Sequence, residues 1–158
     1  METPAKSLEI VRANSADIPL IAPLFDAYRQ FYKQVPDLEG AQRFLAARFE
    51  ENSSVIFLAY IHNETGQRHA CGFTQLYPSF SSVSMKPLWI LNDLFVAPEA
   101  RRSGAGRALL ERARAFAAGT QARGLTLKTA VDNATAQALY EAAGWQRDKQ
   151  FYSYDLYF

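Results

Sequence analysis

Apolar positions along this chain repeat at about two residues in some stretches and about 3.6 in others, and the changes of period lay out its elements. Leu8-Glu-Ile-Val-Arg-Ala13 half alternates and predicts an edge-side strand. Asn14 or Ser15 then caps a helix whose apolar face is Ile18, Ile21, Ala22, Phe25, Tyr28, Phe31 and Tyr32. Pro19 lies in the first turns of that helix, whereas Pro23 lies deeper, where it removes a hydrogen bond. After a loop, Gln34-Val-Pro-Asp37, a second helix from Leu38 to about Glu51 buries Phe44, Leu45, the stem of Arg48 and Phe49. Ser54 to Ile61 and Ala70 to Tyr77 read as strands joined by a polar hairpin loop, His62 to His69. The serine-rich stretch Ser79 to Lys86 reads as an exposed loop. An apolar segment, Pro87 to Val96, stops at Ala97-Pro98, because proline cannot extend a strand ladder. A basic turn leads into a helix with Leu109, Leu110, Ala113, Phe116 and Ala117 on its apolar side. Leu125, Leu127, Thr129 and Val131 alternate as the next strand. Asn133 caps a helix through Ala143, closed by Gly144 where a left-handed glycine belongs. Phe151 to Phe158 reads as a last, tyrosine-rich strand, and Met1 to Lys6 as a loose terminus. This order gives an α/β fold with a mixed sheet, its strand–helix–strand crossovers confined to the second half.

Composition narrows the class. At 158 residues the chain is expected to form a single domain, 1–158, that buries about two-thirds of its unfolded surface. A net charge of +1 sets up no global field toward nucleic acid or membrane, so the arginines between 101 and 114 are a local feature. Cys71 is the only cysteine, which excludes an internal disulfide and points to a reducing, cytoplasmic setting. No signal-like segment opens the chain, and no apolar run approaches the ~20 residues of a membrane span. His62 and His69 have no further ligand types at metal-binding spacing, so no metal is expected.

Candidate chemistry sits where the central strand meets the basic turn, Arg101-Arg102-Ser103-Gly104-Ala105-Gly106-Arg107. Unpaired N–H groups at a helix start and the helix dipole suit a phosphate. Gly104 and Gly106 permit left-handed backbone and close approach, and the three arginines add positive charge and bidentate donors. Residues alone leave a ligand cradle and a plain tight turn equally open. Asp93 lies inside an apolar strand, which is costly unless the carboxylate is paired. It is either a satisfied structural acid or a group at a substrate site. Asn133 and Tyr140, seven apart with Ala136 between them, share one helix face, which also fits a cap and a half-buried tyrosine. Tyr152, Tyr154, Leu156 and Phe158 share one strand face, a pattern of core or dimer interface more often than of substrate lining.

Arg101-x-x-Gly104-x-Gly106 resembles the Arg/Gln-x-x-Gly-x-Gly/Ala signature of the GNAT N-acetyltransferase superfamily, which holds the pyrophosphate of acetyl-coenzyme A (acetyl-CoA). Leu91-Asn-Asp-Leu-Phe-Val-Ala-Pro98 looks like the family's central bulged strand. Asn133-x-x-Ala136-x-x-x-Tyr140-x-x-x-Gly144-Trp145 is similar to its second cofactor motif. The resemblance implies a mixed sheet of about six or seven strands with about four helices, splayed at the central strand. It implies acetyl-CoA on Arg101, Arg102, Ser103, Gly104, Ala105, Gly106 and Arg107, with its pantetheine along Leu94, Phe95 and Val96. Asn133, Ala136 and Tyr140 would add cofactor contacts.

The same resemblance implies direct attack by an amine on the thioester. A backbone N–H near Leu94 or Phe95 would meet the oxyanion, and Tyr140 would protonate the leaving thiolate. Asp93 would collect the amine's proton, as a carboxylate with a raised pKa can. Polyamine-acetylating relatives carry Glu-Asp where this chain has Asn92-Asp93, which argues against a direct base at Asn92 and against a polyamine substrate. The candidate acceptor face comprises Tyr28, Tyr32, the loop to Asp37, Asp93 and the Tyr77–Met85 loop, with Lys33 and Lys86 nearby. It suits a small primary amine; a protein or peptide amine, or a non-catalytic acetyl-CoA-binding regulatory module, is the alternative. Family habit adds a homodimer. Nucleic acid and membrane are not expected as partners.

Overall fold

One sheet in the order β1-β2-β3-β4-β5 organises the computed structural model, which describes residues 7–158. β1 (Leu8–Arg12), β2 (Val55–His62), β3 (Arg68–Ser81) and β4 (Lys86–Val96) are antiparallel neighbours. β5 (Leu125–Thr126) lies parallel to β4. A parallel neighbour requires a crossover, and α3 (Ala105–Gly119) provides it. The expected loose terminus, Met1 to Lys6, lies outside the described residues.

Two helices cover one face of the sheet and α3 covers the other. On the first face, Ile21, Ala22 and Phe25 of α1 (Ile18–Phe31) and Ala41 and Leu45 of α2 (Leu38–Glu50) bury Ile56, Leu58, Tyr60, Phe73 and Phe95. On the second, Phe116 meets Phe57 and Trp89 edge-on. Side chains set the helix starts. Asn14 and Asp17 form a reciprocal capping box around the turn before α1, with both hydrogen bonds at 2.9 Å. Asp37 Oδ1 accepts from the Gly40 N–H at 2.9 Å and starts α2. Gly72 is fixed by proximity: a Cβ there would lie 2.8 Å from the Phe95 carbonyl oxygen on β4.

The described chain divides into two compact units, one ending at Lys128 and the other running Thr129–Phe158. The second unit contains α4 (Ala134–Ala142), started by Asn133, whose Oδ1 accepts from the Ala136 N–H at 3.1 Å. Gly144 follows it at φ +92°, the left-handed closure expected of it.

Three expectations need correcting. The described sheet has five strands rather than six or seven. The alternation from Leu125 to Val131 yields only the two residues of β5, paired with Trp89 and Ile90, because β5 then leaves β4. Phe151–Phe158 forms no strand; a strand needs a ladder partner, and α4 is the regular element of its unit. The serine-rich stretch is not one loop. β3 continues to Ser81 and β4 begins at Lys86, so only 82–85 turn. Pro78 is tolerated there because β2 has already ended opposite Leu76, leaving β3 with a free edge. The splay itself is present, since β5 accompanies β4 only at its start.

Among the described residues no helix is long and apolar enough to cross a membrane.

Candidate active site

A single extra residue puts the key carboxylate where it is. In the β3–β4 ladder Leu76 pairs with Leu91 and Gln75 with Asp93, so Asn92 has no opposite number and forms a bulge. Trp89 and Phe95 are six positions apart, and plain alternation would put them on the same face. They are on opposite faces instead: Trp89 packs on Phe116 of α3, and Phe95 on Tyr28 of α1. The bulge thus turns Asp93 and Phe95 toward α1 while Trp89 remains toward α3.

Asp93 is 4% exposed and is supported on every side. Gln75 Nε2 donates to Oδ2 at 2.7 Å and Asn92 Nδ2 to Oδ1 at 3.1 Å. Tyr28 adds a side-chain hydrogen bond to the carboxyl, and its hydroxyl also reaches the Asn92 carbonyl at 3.4 Å. Thr74 Oγ1 holds the Asp93 carbonyl at 2.8 Å from the other face. Burial raises the Asp93 pKa above the ordinary 3.8, against the lowering effect of hydrogen bonds from Gln75, Tyr28 and Asn92. Nearby, burial and then the charge of Asp93 push the Tyr77 hydroxyl up to about 12, opposed by Arg48. A buried carboxylate that holds its proton beyond the usual acid range is suited to taking one from an amine.

Above this acid the C-terminal end of α1 presents aromatic rings. Tyr28 and Tyr32 meet edge-on at 5.1 Å, and Phe31 and Tyr32 at 5.3 Å. Phe31 and Tyr32 are exposed. Asp26, buried on α1, anchors the segment that follows. It accepts from Arg29 Nη1 and the Asp37 N–H, both at 3.0 Å, and from Gln30 Nε2 at 3.3 Å. Arg29 Nη1 also holds the Val35 carbonyl at 3.1 Å. The loop to Asp37 is therefore fastened at both ends.

The basic turn follows β4 directly. Arg102 and Gly104 take left-handed backbone at φ +64° and +88°. Gly104 is the N-cap of α3, and its carbonyl accepts the first helical N–H, from Ala108. The Ala105 N–H turns back to Ser103 Oγ at 3.3 Å. The N–H groups of Gly106 and Arg107 precede any intrahelical acceptor, at the positive end of a 15-residue helix. Those donors, with Arg101, Arg102 and Arg107 around them, fit a pyrophosphate. Along β4, Leu91 to Val96 run beyond the end of β5, which leaves Leu94, Phe95 and Val96 on an edge that β5 does not cover. Arg101 Nε reaches the Val96 carbonyl at 3.3 Å, so the turn and the strand end are tied together.

In the second unit, Tyr140 and Ala136 lie on α4, and the Tyr140 ring is 6.1 Å from that of Trp145. Asn133 spends its Oδ1 on the helix cap. The structure thus brings Asp93, the β4 edge and the turn together in one unit and carries Asn133, Ala136 and Tyr140 in the other.

Residues 21–145 match the family model described as "Acetyltransferase (GNAT) family". The chain belongs to the GNAT acetyltransferase family. The match runs through both units. The chain is similar to the uncharacterized N-acetyltransferase YhfO of Bacillus subtilis (strain 168), with 50% identity over 149 residues, 94% of this chain and 97% of YhfO. It resembles the crystal structure of a probable acetyltransferase at TM-score 0.88 and 42% identity, covering 95% of this chain and 97% of that one. An aminoglycoside N-acetyltransferase solved with CoA shares the fold alone, at TM-score 0.77 and 16% identity, covering 99% of each chain. As a GNAT protein the chain is an acetyltransferase, and the family's acetyl donor is acetyl-CoA.

Two residues of this GNAT site were not foreseen from sequence. Gln75 was legible only as half of a polar pair, Thr74-Gln75, within an otherwise apolar strand. Asp26 interrupts the apolar face of its helix directly after Phe25, and that interruption is its signal.

Proposed function

We propose that this GNAT acetyltransferase acetylates the primary amine of a small cationic molecule, with Asp93 as proton acceptor and Tyr140 as the acid that serves the leaving thiolate. The whole chain, 1–158, acts as one acetyltransferase domain, a reading supported by the family match across both units. The observation that carries the proposal is the bulge at Asn92, which places a buried, hydrogen-bonded carboxylate beneath the tyrosines of α1. An ammonium ion approaching that centre meets aromatic faces, worth about 0.5–2 kcal/mol each according to exposure. It then meets an acid able to accept its proton. Acetyl-CoA supplies the activated acetyl group; Arg101 to Arg107 would hold its pyrophosphate, and the backbone of Leu94, Phe95 and Val96 its pantetheine. The candidate acceptor surface takes in the tethered loop from Tyr32 to Asp37 and the exposed Phe80, Val83 and Met85.

The test is kcat/KM at fixed acetyl-CoA for a diamine, a free amino acid, an aminoglycoside and a lysine-containing peptide. At least one small amine is expected to exceed the peptide. A peptide better than every small amine by about tenfold, or ~1.4 kcal/mol of transition-state preference, would overturn the assignment.

A further inference from the structure

Gln75 has no place in the mechanism so far, yet it is one of the most completely buried polar residues of the sheet. It stands opposite Asp93 in the ladder, and its 2.7 Å bond to Oδ2 is shorter than the 3.1 Å bond from Asn92. Chemistry fixes how its amide is turned. Carboxylate oxygens only accept, so Nε2 must face them and Oε1 must face away. That Oε1 is buried and has no hydrogen-bond partner among the described residues. An unpaired buried amide oxygen costs free energy that a nonpolar side chain of the same size would not. The amide is therefore explained by what its other end does for Asp93.

A carboxyl that takes up a proton changes from acceptor to donor. Rotation of the Gln75 amide by half a turn exchanges Nε2 for Oε1, which then accepts from the acid O–H. The unpaired end exchanges at the same time, from a carbonyl oxygen to an N–H group, so each state carries one buried polar group without a partner. On the side of Asp93, an N–H facing an anion is set against an amide oxygen facing a neutral acid, and the charged pairing is the stronger.

We propose that Gln75 is a positioning residue that holds Asp93 in both its ionised and its neutral form, so that Asp93 receives the acceptor's proton without losing its hydrogen bond. In that step an N–H bond of the amine breaks, an O–H bond forms on Asp93, the carboxylate charge is neutralised, and the proton later passes to solvent. The inference rests on Asp93 as proton acceptor, and the experiment separates the two. The other groups facing the carboxyl are Tyr28 from α1, Asn92 beside it and Tyr77 from β3; Arg48 of α2 acts on Tyr77. Gln75 supplies the shorter of the two amide hydrogen bonds to it.

Gln75→Met removes the donor and the unpaired oxygen together at nearly constant volume, and Gln75→Asn keeps an amide but withdraws it by one methylene. In ¹³C-carboxyl NMR titrations, with the Asp93 signal identified by its loss in Asp93→Asn, both variants are expected to titrate at least about one pH unit higher than wild type. The rising limb of kcat against pH should follow by the same amount, with KM for acetyl-CoA unchanged. A midpoint that stays in place or falls in either folded variant overturns the proposal. A midpoint that moves while the rate limb stays put overturns its catalytic half. In that case an Asp93→Asn profile identical to wild type traces the failure to the assignment of Asp93 rather than to Gln75.

Discussion

Asp93 and Tyr140 carry the two proton transfers of the proposed reaction, and each has a variant that removes the transfer while nearly preserving shape. Asp93→Asn keeps an acceptor for Gln75 but cannot take a proton. The rising limb of its pH–rate profile is expected to be depressed at the raised pKa of the buried acid, and a profile unchanged in shape would assign the proton to another group. Tyr140→Phe should lower kcat by ~10²–10⁴ with CoA affinity nearly unchanged, as loss of a general acid does. Calorimetry with CoA and steady-state turnover measured together check it, and full turnover at every pH would reduce Tyr140 to its packing on Trp145. At this scale the sequence was informative where a residue disagreed with its surroundings. Asp93 in an apolar strand and Gly104 before a helix both announce themselves in that way. Gln75 does not, because one amide in a strand leaves no periodic trace, and only the ladder shows that it faces Asp93.

Among the elements, the turn into α3 has the most direct consequence for binding. A Cβ on Gly104 would meet only Leu8 Cδ1, at an ordinary 3.6 Å, so space is not the obstacle. The obstacle is φ +88°, which an L side chain adopts only at a cost of about 1–2 kcal/mol. Gly104→Glu adds that strain and sets a negative charge against the N–H groups of Gly106 and Arg107. Calorimetry should show CoA binding weakened at least tenfold while the fold is retained; a folded variant that binds as wild type would remove the turn from the cofactor site. The helices, the caps at Asn14 and Asn133 and the positions of the first four strands were legible because periodicity and capping residues agree along them, whereas the Asp37 cap of α2 and the run of β3 to Ser81 were not. The lengths of β5 and of the segment 151–158 were not. Alternation states which face a residue would take if it were in a strand, and says nothing of whether another strand lies alongside.

For the molecule as a whole, the buried acid and the buried phenol tie folding to pH. Asp93 ionises at a higher pH folded than unfolded, so over the interval between those values the unfolded chain binds fewer protons. Its stabilising contribution is complete below the unfolded pKa and is lost as pH rises through the folded one. Tyr77 repeats this in alkali, between its ordinary 10.0 and about 12. Thermal melts of wild type and Asp93→Asn are therefore expected to diverge with rising pH through the carboxylate range, wild type losing ground. Parallel curves would mean that Asp93 titrates in the fold as it does in the open chain.

The extra residue at Asn92 makes the length of β4 a matter of parity. Deleting one residue between Trp89 and Asp93 would remove the bulge: Trp89 and Phe95 become five positions apart, and plain alternation keeps Asp93 and Phe95 on the side of α1, with Asp93 still opposite Gln75. Removing two would leave Trp89 and Phe95 four positions apart with no extra residue, and alternation would carry Asp93 and Phe95 round to the side of α3, silencing catalysis. A scan of single and double deletions here, scored for activity among the folded variants, should keep activity in the singles and lose it in the doubles. In this strand, being off by two is worse than being off by one.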